Sequence, residues 1–265
     1  LRQEKDVMKV FSVFGHSKTG KTTTIELIIK ELSLRNYIVG SVKDIHFESF
    51  KIDKDGTDTH RHSTAGANPV TALGLHETDI MFRERKSLRE IIQHYNVDWV
   101  VCEGFSHELI PKFLSLEDEK DIEKADDFTL GFTGKISSNP NRSGLPLPVF
   151  DATKEIKKLV DFIEENVPDI LPGFTHEQCG ECGFDCMTIL RKILKEKKDI
   201  SLCKVRQFGV KVKIGTKYLP LKPFVKDILA RVYVGALSSL SGFENGKKIL
   251  VEIEGLYLNF KKEED

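Results

Sequence analysis

The chain has 265 residues, of which 40% are apolar and 31% charged: enough hydrophobic material for a packed core, too much charge for a membrane-embedded protein. Forty basic against 41 acidic side chains leave a formal charge of −1, which excludes a global field able to recruit nucleic acid or an anionic bilayer. The opening LRQEKDVMKV has no apolar h-region and no stretch approaches about 18 uninterrupted apolar residues, so a cytoplasmic protein with neither membrane nor nucleic-acid partner is expected.

From residue 8 to about 167, short β-branched runs alternate with amphipathic stretches, the pattern of βα units around a parallel sheet. Strands are predicted at 10–14, 37–42, 69–72, 99–102, 112–116, 129–133 and 148–150. Helices are predicted at 21–34, 87–95 and 153–166. Pro168, Pro172 and Gly173 form a breaker-rich linker. Beyond it come a cysteine cluster, a helix over 186–197, a hairpin around Gly215, a helix over 222–234 and a last strand at 248–253. The expected class is α/β: a P-loop NTPase-like, mostly parallel sheet flanked by helices (1–170), a small four-cysteine metal domain (171–204) and a small α+β C-terminal docking domain (205–265).

The first helix is preceded by Gly15-His16-Ser17-Lys18-Thr19-Gly20-Lys21-Thr22-Thr23, which fits GxxxxGK[ST] and follows an apolar strand. Such a loop curls its N–H groups toward phosphate oxygens, Lys21 supplies a mobile charge for the β and γ phosphates, and the Thr22 hydroxyl ligates Mg²⁺. Glu103 ends the apolar run VDWVVCE, where the acid of a second nucleotide motif sits, and is the candidate for orienting a metal-bound water. Lys21 and Glu103 are therefore the candidate catalytic pair. Cys102, inside that buried run, reads as core filler.

A polar segment after the second strand contains Asp53, Asp58, Arg61 and several histidines, then Ala65-Gly66-Ala67. Ligands of parallel sheets bind beyond the carboxyl ends of strands, so Asp53, Asp58 and Arg61 are candidate contacts to phosphate or metal; the alternative is a hydrophilic surface loop.

The marks GHSKTGKTT, KDIHF, IDKDGTDTHRHSTAGA, CEGF followed by PKF, and LPVFD, in this order, resemble the molybdopterin-guanine dinucleotide biosynthesis protein B family over roughly residues 8–167. The resemblance implies a GTP-binding protein, usually homodimeric, with weak GTPase activity. It would assist attachment of a guanine nucleotide to molybdopterin, the transfer itself being made by a partner guanylyltransferase. A molybdenum or tungsten enzyme is a further implied partner. By matching positions, residues 15–23 would hold phosphates and Mg²⁺, Glu103 would be the second-motif acid, and the Asp53–Arg61 block would line the site. The chain departs from the family at Asp55-Gly56-Thr57-Asp58-Thr59, where PGKDS is frequent, and at Asp44-Ile45-His46, where a histidine pair is frequent. Guanine is implied by the resemblance alone, since no NKxD element is present.

Four cysteines, Cys179-x₂-Cys182-x₃-Cys186-x₁₆-Cys203, match the ligand count of a 4Fe–4S cluster, with structural zinc as the alternative. CGECGFDCM resembles the small 4Fe–4S domain of corrinoid and electron-transfer proteins. Competing functions are a metallocentre-maturation NTPase and a nucleotide-gated iron–sulfur electron donor. The electron-donor class carries a lysine directly after the first P-loop glycine, where this chain has His16.

Overall fold

In the computed structural model, the run KVFSVF forms a strand, β1 (Lys9–Phe14), that lies at the centre of a five-stranded sheet. The structure describes residues 8–139, 144–171, 174, 182–197, 202–203, 212–214, 217–219 and 223–242. With β2 (Val39–Lys43), β5 (Trp99–Glu103), β6 (Lys112–Ser115) and β7 (Thr129–Thr133), the order is β2-β5-β1-β6-β7 and every pair is parallel. The expected mostly parallel α/β sheet is thus observed.

Residues alternate between the two faces of each strand. Phe11 and Val13 join Trp99, Val101 and Phe113 in a core with Ile25, Ile28 and Leu32 of α1 (Lys21–Leu34) and Leu159, Val160 and Ile163 of α4 (Ile156–Asn166). Val10, Val100 and Cys102 face the other way, onto Leu88 and Ile92 of α3 (Leu88–Ile92). Cys102 is fully buried, and burial pushes its thiol up, away from reactive thiolate. Arg35, just beyond α1, ties the two large helices together through Asp161 (2.7 Å) and Glu164 (2.5 Å). Because all five strands run one way, the loops following β1, β2, β5 and β6 emerge along one edge, and that edge carries the site.

Two expectations differ from the fold. The run at 69–72 was expected in the parallel sheet. Instead β3 (Val70–Leu73) pairs antiparallel with an unanticipated strand, β4 (Thr78–Met81), in a separate ribbon closed by Gly74 N–H to Glu77 O at 2.9 Å. Neither strand has the doubly buried apolar run a central parallel strand needs; Leu73 and Ile80 are exposed. The strand at 148–150 reduces to a bridge between Val149 and Phe132. Pro148 has no N–H, so only its carbonyl pairs, with Phe132 N–H at 2.8 Å. The polar segment also contains a short helix, α2 (Asp58–Thr64), N-capped by Thr57.

At the start of β6, Lys112 is fully buried, donating to Asp126 Oδ2 (2.8 Å) and Ser106 O (2.7 Å) with its ammonium over the Phe14 and Phe128 rings. Asp126 is about half exposed and remains solvated when its partner is lost, whereas Lys112 cannot reach water. Asp126→Asn is therefore expected to lower stability by about 3 kcal/mol, and Lys112→Met by clearly less. Urea unfolding of the two variants checks this; equal losses would contradict it.

Backbone contacts divide the chain into two compact units, Leu1–Gln207 and Phe208–Asp265. Within the first, Ile189 and Leu190 of α5 (Cys186–Glu196) join Phe128, Leu171 and Cys203 in one apolar cluster, and Arg191 and Lys195 pair with Asp127 at 2.9 and 3.5 Å. The described elements of the second unit are the antiparallel pair β8 (Val212–Ile214) and β9 (Lys217–Leu219), and α6 (Pro223–Leu237). The strand expected at 248–253 lies outside the described residues. No described helix is long and apolar enough to cross a membrane.

Candidate phosphate-binding site

β1 delivers the chain to Gly15, whose φ of 138° and whose contact with β6 both exclude a side chain: a Cβ there would lie 2.2 Å from Ser115 O. Lys18 (φ 64°) and Gly20 (φ 102°) then take left-handed conformations, which turns successive backbone N–H groups toward one concave side. Gly20 is the N-cap of α1, and no side chain caps that helix end. The first N–H groups of α1 and its partial positive end are therefore available to an anion.

Lys21 lies over this concavity, with Nζ donating to His16 O across the loop. Its pKa is lowered by burial first, then by Lys43, against the pull of Glu103. Thr19 faces inward, 2% exposed; its hydroxyl also donates to His16 O, at 3.0 Å. Ser17, Lys18 and Thr23 line the exposed rim. The His16 imidazole points outward to Asp121 (3.3 Å) and Lys124, two residues of the 3-10 turn Glu119–Lys124. Lys124 and His16 hold the Asp121 carboxyl below the usual range.

The acid expected at the end of the fourth predicted strand is in place. Register between β1 and β5 puts Glu103 beside Val13, and Glu103 Oε1 accepts from Thr22 Oγ1 at 3.1 Å. A hydroxyl and a carboxylate thus meet at the mouth of the cradle, the donor set a Mg²⁺ ion needs alongside phosphate oxygens. Lys43 Nζ lies 3.1 Å from the same Glu103 oxygen, and Asp44 follows on the neighbouring strand. Asp44 is held by Arg85 (2.5 Å) and His46 (3.2 Å). Lys43 and Asp44 were marked from sequence only as part of the strand-end run KDIHF, and Arg85 was not singled out. The available signal was that 43 and 44 end a strand pairing directly with the one ending in Glu103.

The back of the cradle was also missed. Thr19 O accepts from Ser115 Oγ (3.3 Å) and from Lys135 N–H (3.1 Å), while Gly134 (φ 88°) closes the contact. Strand ends β6 and β7 therefore buttress the loop from behind.

Asp53 accepts from Thr57 Oγ1 (2.8 Å), Thr59 Oγ1 (2.9 Å) and Lys54 N–H (3.0 Å), and the Thr57 bond is the largest cause of its lowered pKa. It organises the turn that starts α2. Asp58 and Arg61 pair with each other on the exposed face of that helix at 3.2 Å. Among the described residues, no hydrogen bond or ion pair joins these three to residues 15–23.

Of the four predicted metal ligands, Cys179 lies outside the described residues. Cys182, Cys186 and Cys203 are thiols that share the apolar cluster of Phe128, Leu171 and Ile189, with Cys203 buried and Cys186 opening α5. Among the described residues, no group of three or more His, Cys, Asp or Glu side chains is spaced to hold a metal ion.

Residues 10–128 match the family described as molybdopterin guanine dinucleotide synthesis protein B. The chain is 30% identical over 254 residues to a putative molybdopterin-guanine dinucleotide biosynthesis adapter protein of Methanocaldococcus jannaschii, covering 93% of this chain and 98% of that protein. The corresponding adapter protein of Haemophilus influenzae is 30% identical over 162 residues, 58% of this chain and 87% of its own length. Among solved structures, Bacillus subtilis MobB superposes with a TM-score of 0.50 at 24% identity, covering 60% of this chain and 98% of that one, which is a likeness of fold.

Proposed function

Because the chain belongs to the molybdopterin-guanine dinucleotide biosynthesis protein B family, we propose that it is a GTP-binding adapter of molybdenum or tungsten cofactor maturation. It assists a separate guanylyltransferase that attaches the guanine nucleotide to molybdopterin, and it hydrolyses GTP weakly. The observation that carries this reading is the cradle of residues 15–23, with Lys21 spanning it and the Thr22 hydroxyl hydrogen-bonded to Glu103 at its mouth. The backbone N–H groups and the α1 terminus would take the phosphate charge, Lys21 would bridge β and γ oxygens, and Thr22 with Glu103 would hold Mg²⁺, which supplies charge neutralisation when bound. In this reading Glu103 orients water, with Lys43 Nζ beside its carboxylate at 3.1 Å. The segment with Asp53, Asp58 and Arg61, beyond the carboxyl end of β2, would approach the nucleotide from the side.

A homodimer is part of the proposal. The β3-β4 ribbon stands apart from the main sheet and exposes Leu73, Leu75 and Ile80, while Phe47, Phe50 and Ile52 are exposed on the preceding loop. A two-stranded ribbon has little stability by itself, and an exposed apolar set of this size marks a contact surface.

The four thiolates of Cys179, Cys182, Cys186 and Cys203 would hold a 4Fe–4S cluster, with zinc as the alternative metal. An apolar surround at Phe128, Leu171 and Ile189 favours a water-poor cluster environment. In this reading the segment serves docking to, or sensing of, a metalloenzyme partner.

Titration of the full chain with GTP and ATP in the presence of Mg²⁺ tests the nucleotide reading. Tighter GTP binding is expected, and ATP binding without any GTP preference would sink the cofactor-maturation role. Iron, sulfide and zinc analysis after anaerobic purification is expected to give about four iron and four sulfide per chain. Stoichiometric zinc without sulfide would assign zinc, and neither metal would remove the four-thiolate site.

A further inference from the structure

The β1–β5 ladder, which leads to both members of the Thr22–Glu103 pair, ends at the register pair Val13 and Glu103. One further bond, Gly104 N–H to Val13 O at 2.9 Å, closes it. Beyond that point the two chains part. β1 runs through Phe14 into the phosphate loop, while the chain after β5 turns through Gly104 (φ 93°) and Phe105 (φ 57°). A left-handed phenylalanine is unfavourable because its Cβ crowds the following carbonyl, so contacts from outside the turn have to hold it there. The Phe105 ring packs on the cluster of Leu88, Ile92 and Cys102, and Ser106 O accepts from Lys112 Nζ at 2.7 Å.

Lys112 reaches that carbonyl from a third strand, β6, and is fully buried. Its ammonium also lies 5.6 Å from the centre of the Phe14 ring and donates to Asp126. One buried group therefore touches both the residue that enters the phosphate loop and the turn that leaves Glu103. Burying an ammonium is costly, and an apolar side chain of similar volume often serves stability as well or better. Stability is thus a poor reason for a lysine here, whereas a donor of fixed reach between two diverging chains sets their spacing. Resting on the nucleotide reading above, we propose that Lys112 is a positioning residue for the Thr22–Glu103 pair. It holds the turn after Glu103 against the residue before Gly15, and so fixes the separation across which hydroxyl and carboxylate would share Mg²⁺.

Titration of the full chain with GTP, in Mg²⁺ and again in EDTA, separates the two halves of the site. The phosphate loop and Lys21 act in both conditions, and Thr22 with Glu103 acts through the metal. Lys112→Met keeps an unbranched side chain against the Phe14 and Phe128 rings but loses the donor to Ser106 O. It is expected to reduce the gain in affinity from Mg²⁺ by about tenfold or more, with affinity in EDTA unchanged. Asp126→Asn is the counterpart: it leaves the Lys112–Ser106 bond in place and, although the less stable of the two, should keep the full gain. The order of the variants in Mg²⁺ dependence is then the reverse of their order in urea unfolding, which a merely structural lysine would not produce. If Lys112→Met fails to fold, Lys112→Gln, whose shorter side chain withdraws the donor from Ser106 O, takes its place with the same expected loss. A full Mg²⁺ gain in the Lys112 variant overturns the proposal, as does an equal loss in Asp126→Asn. An equal fall in EDTA overturns it too, because the effect would then lie in the phosphate loop. GTP binding by the wild type with no gain from Mg²⁺ also refutes it, while leaving triphosphate binding intact. A wild-type chain that binds no GTP in either condition refutes the nucleotide reading and the proposal with it.

Discussion

Lys21→Ala is expected to weaken GTP binding by about a hundredfold or more while leaving the unfolding midpoint nearly unchanged. In the free protein, Lys21 Nζ is satisfied by the His16 carbonyl across the loop, and the residue is only partly buried. Alanine at the first position of α1 is a good helix former, so the fold loses little. Triphosphate binding loses two charge-assisted contacts, each about 1.5–3 kcal/mol, to the β and γ oxygens. Isothermal titration and a thermal melt separate the two effects; unchanged affinity would remove Lys21 from the site.

The same lysine gives a pH dependence. Burial and Lys43 lower its pKa in the free chain, and a bound polyanion raises it again. Binding is therefore coupled to proton uptake on the alkaline side. Affinity is fully present below the free-state pKa of Lys21 and falls as pH rises toward the bound-state value. Titrations between neutral and alkaline pH should show this fall in the wild type and not in Lys21→Ala.

Gly134→Ala should be the most damaging substitution at a residue that touches no nucleotide. A Cβ at this position would lie 2.5 Å from both Ser115 Oγ and Thr19 O, and 2.9 Å from Leu116 O, on a backbone with φ 88°. The added atom cannot be relieved by rotating one flexible side chain, since Thr19 O and Leu116 O are main chain. Overpacking and left-handed strain together predict a loss of about 3 kcal/mol or more. Thr19 O is also what fixes the back of the phosphate loop, so GTP affinity is expected to fall by roughly tenfold in the folded fraction. Gly56→Ala is the control. It shares a positive φ (93°) but has nothing within 4 Å of its Cβ, so only the conformational cost, about 1 kcal/mol, applies. Equal effects of the two substitutions on nucleotide affinity would show that the Gly134 contact does not position the loop.

The phosphate loop was legible because each of its requirements is local. Gly15 and Gly20 are needed for backbone curvature, Lys21 for charge and Thr22 for a hydroxyl, and all lie within one turn between a strand and a helix. The parallel sheet was legible for a similar reason: runs such as VFSVF and WVVC are apolar on both faces, which only a doubly covered strand tolerates. Glu103 could be read from its place at the end of such a run. Lys43 and Asp44 could be read only as a polar strand end and Ser115 not at all, because each matters through a neighbouring strand in the sheet order, and that order is a long-range property. Gly134 belongs with them: 119 positions separate it from Gly15, and only packing brings it against Thr19.

What the sequence determined by itself was therefore the chemistry that short-range geometry fixes: the glycine-bounded loop of residues 15–23 before α1, the βα alternation and the four cysteines with their spacing. Tertiary structure decided the rest. It detached the β3-β4 ribbon from the sheet, since exposed Leu73 and Ile80 lack the two buried faces of a central strand. It turned Asp53 into the organiser of its own turn and paired Asp58 with Arg61, since short polar side chains satisfy nearby partners first.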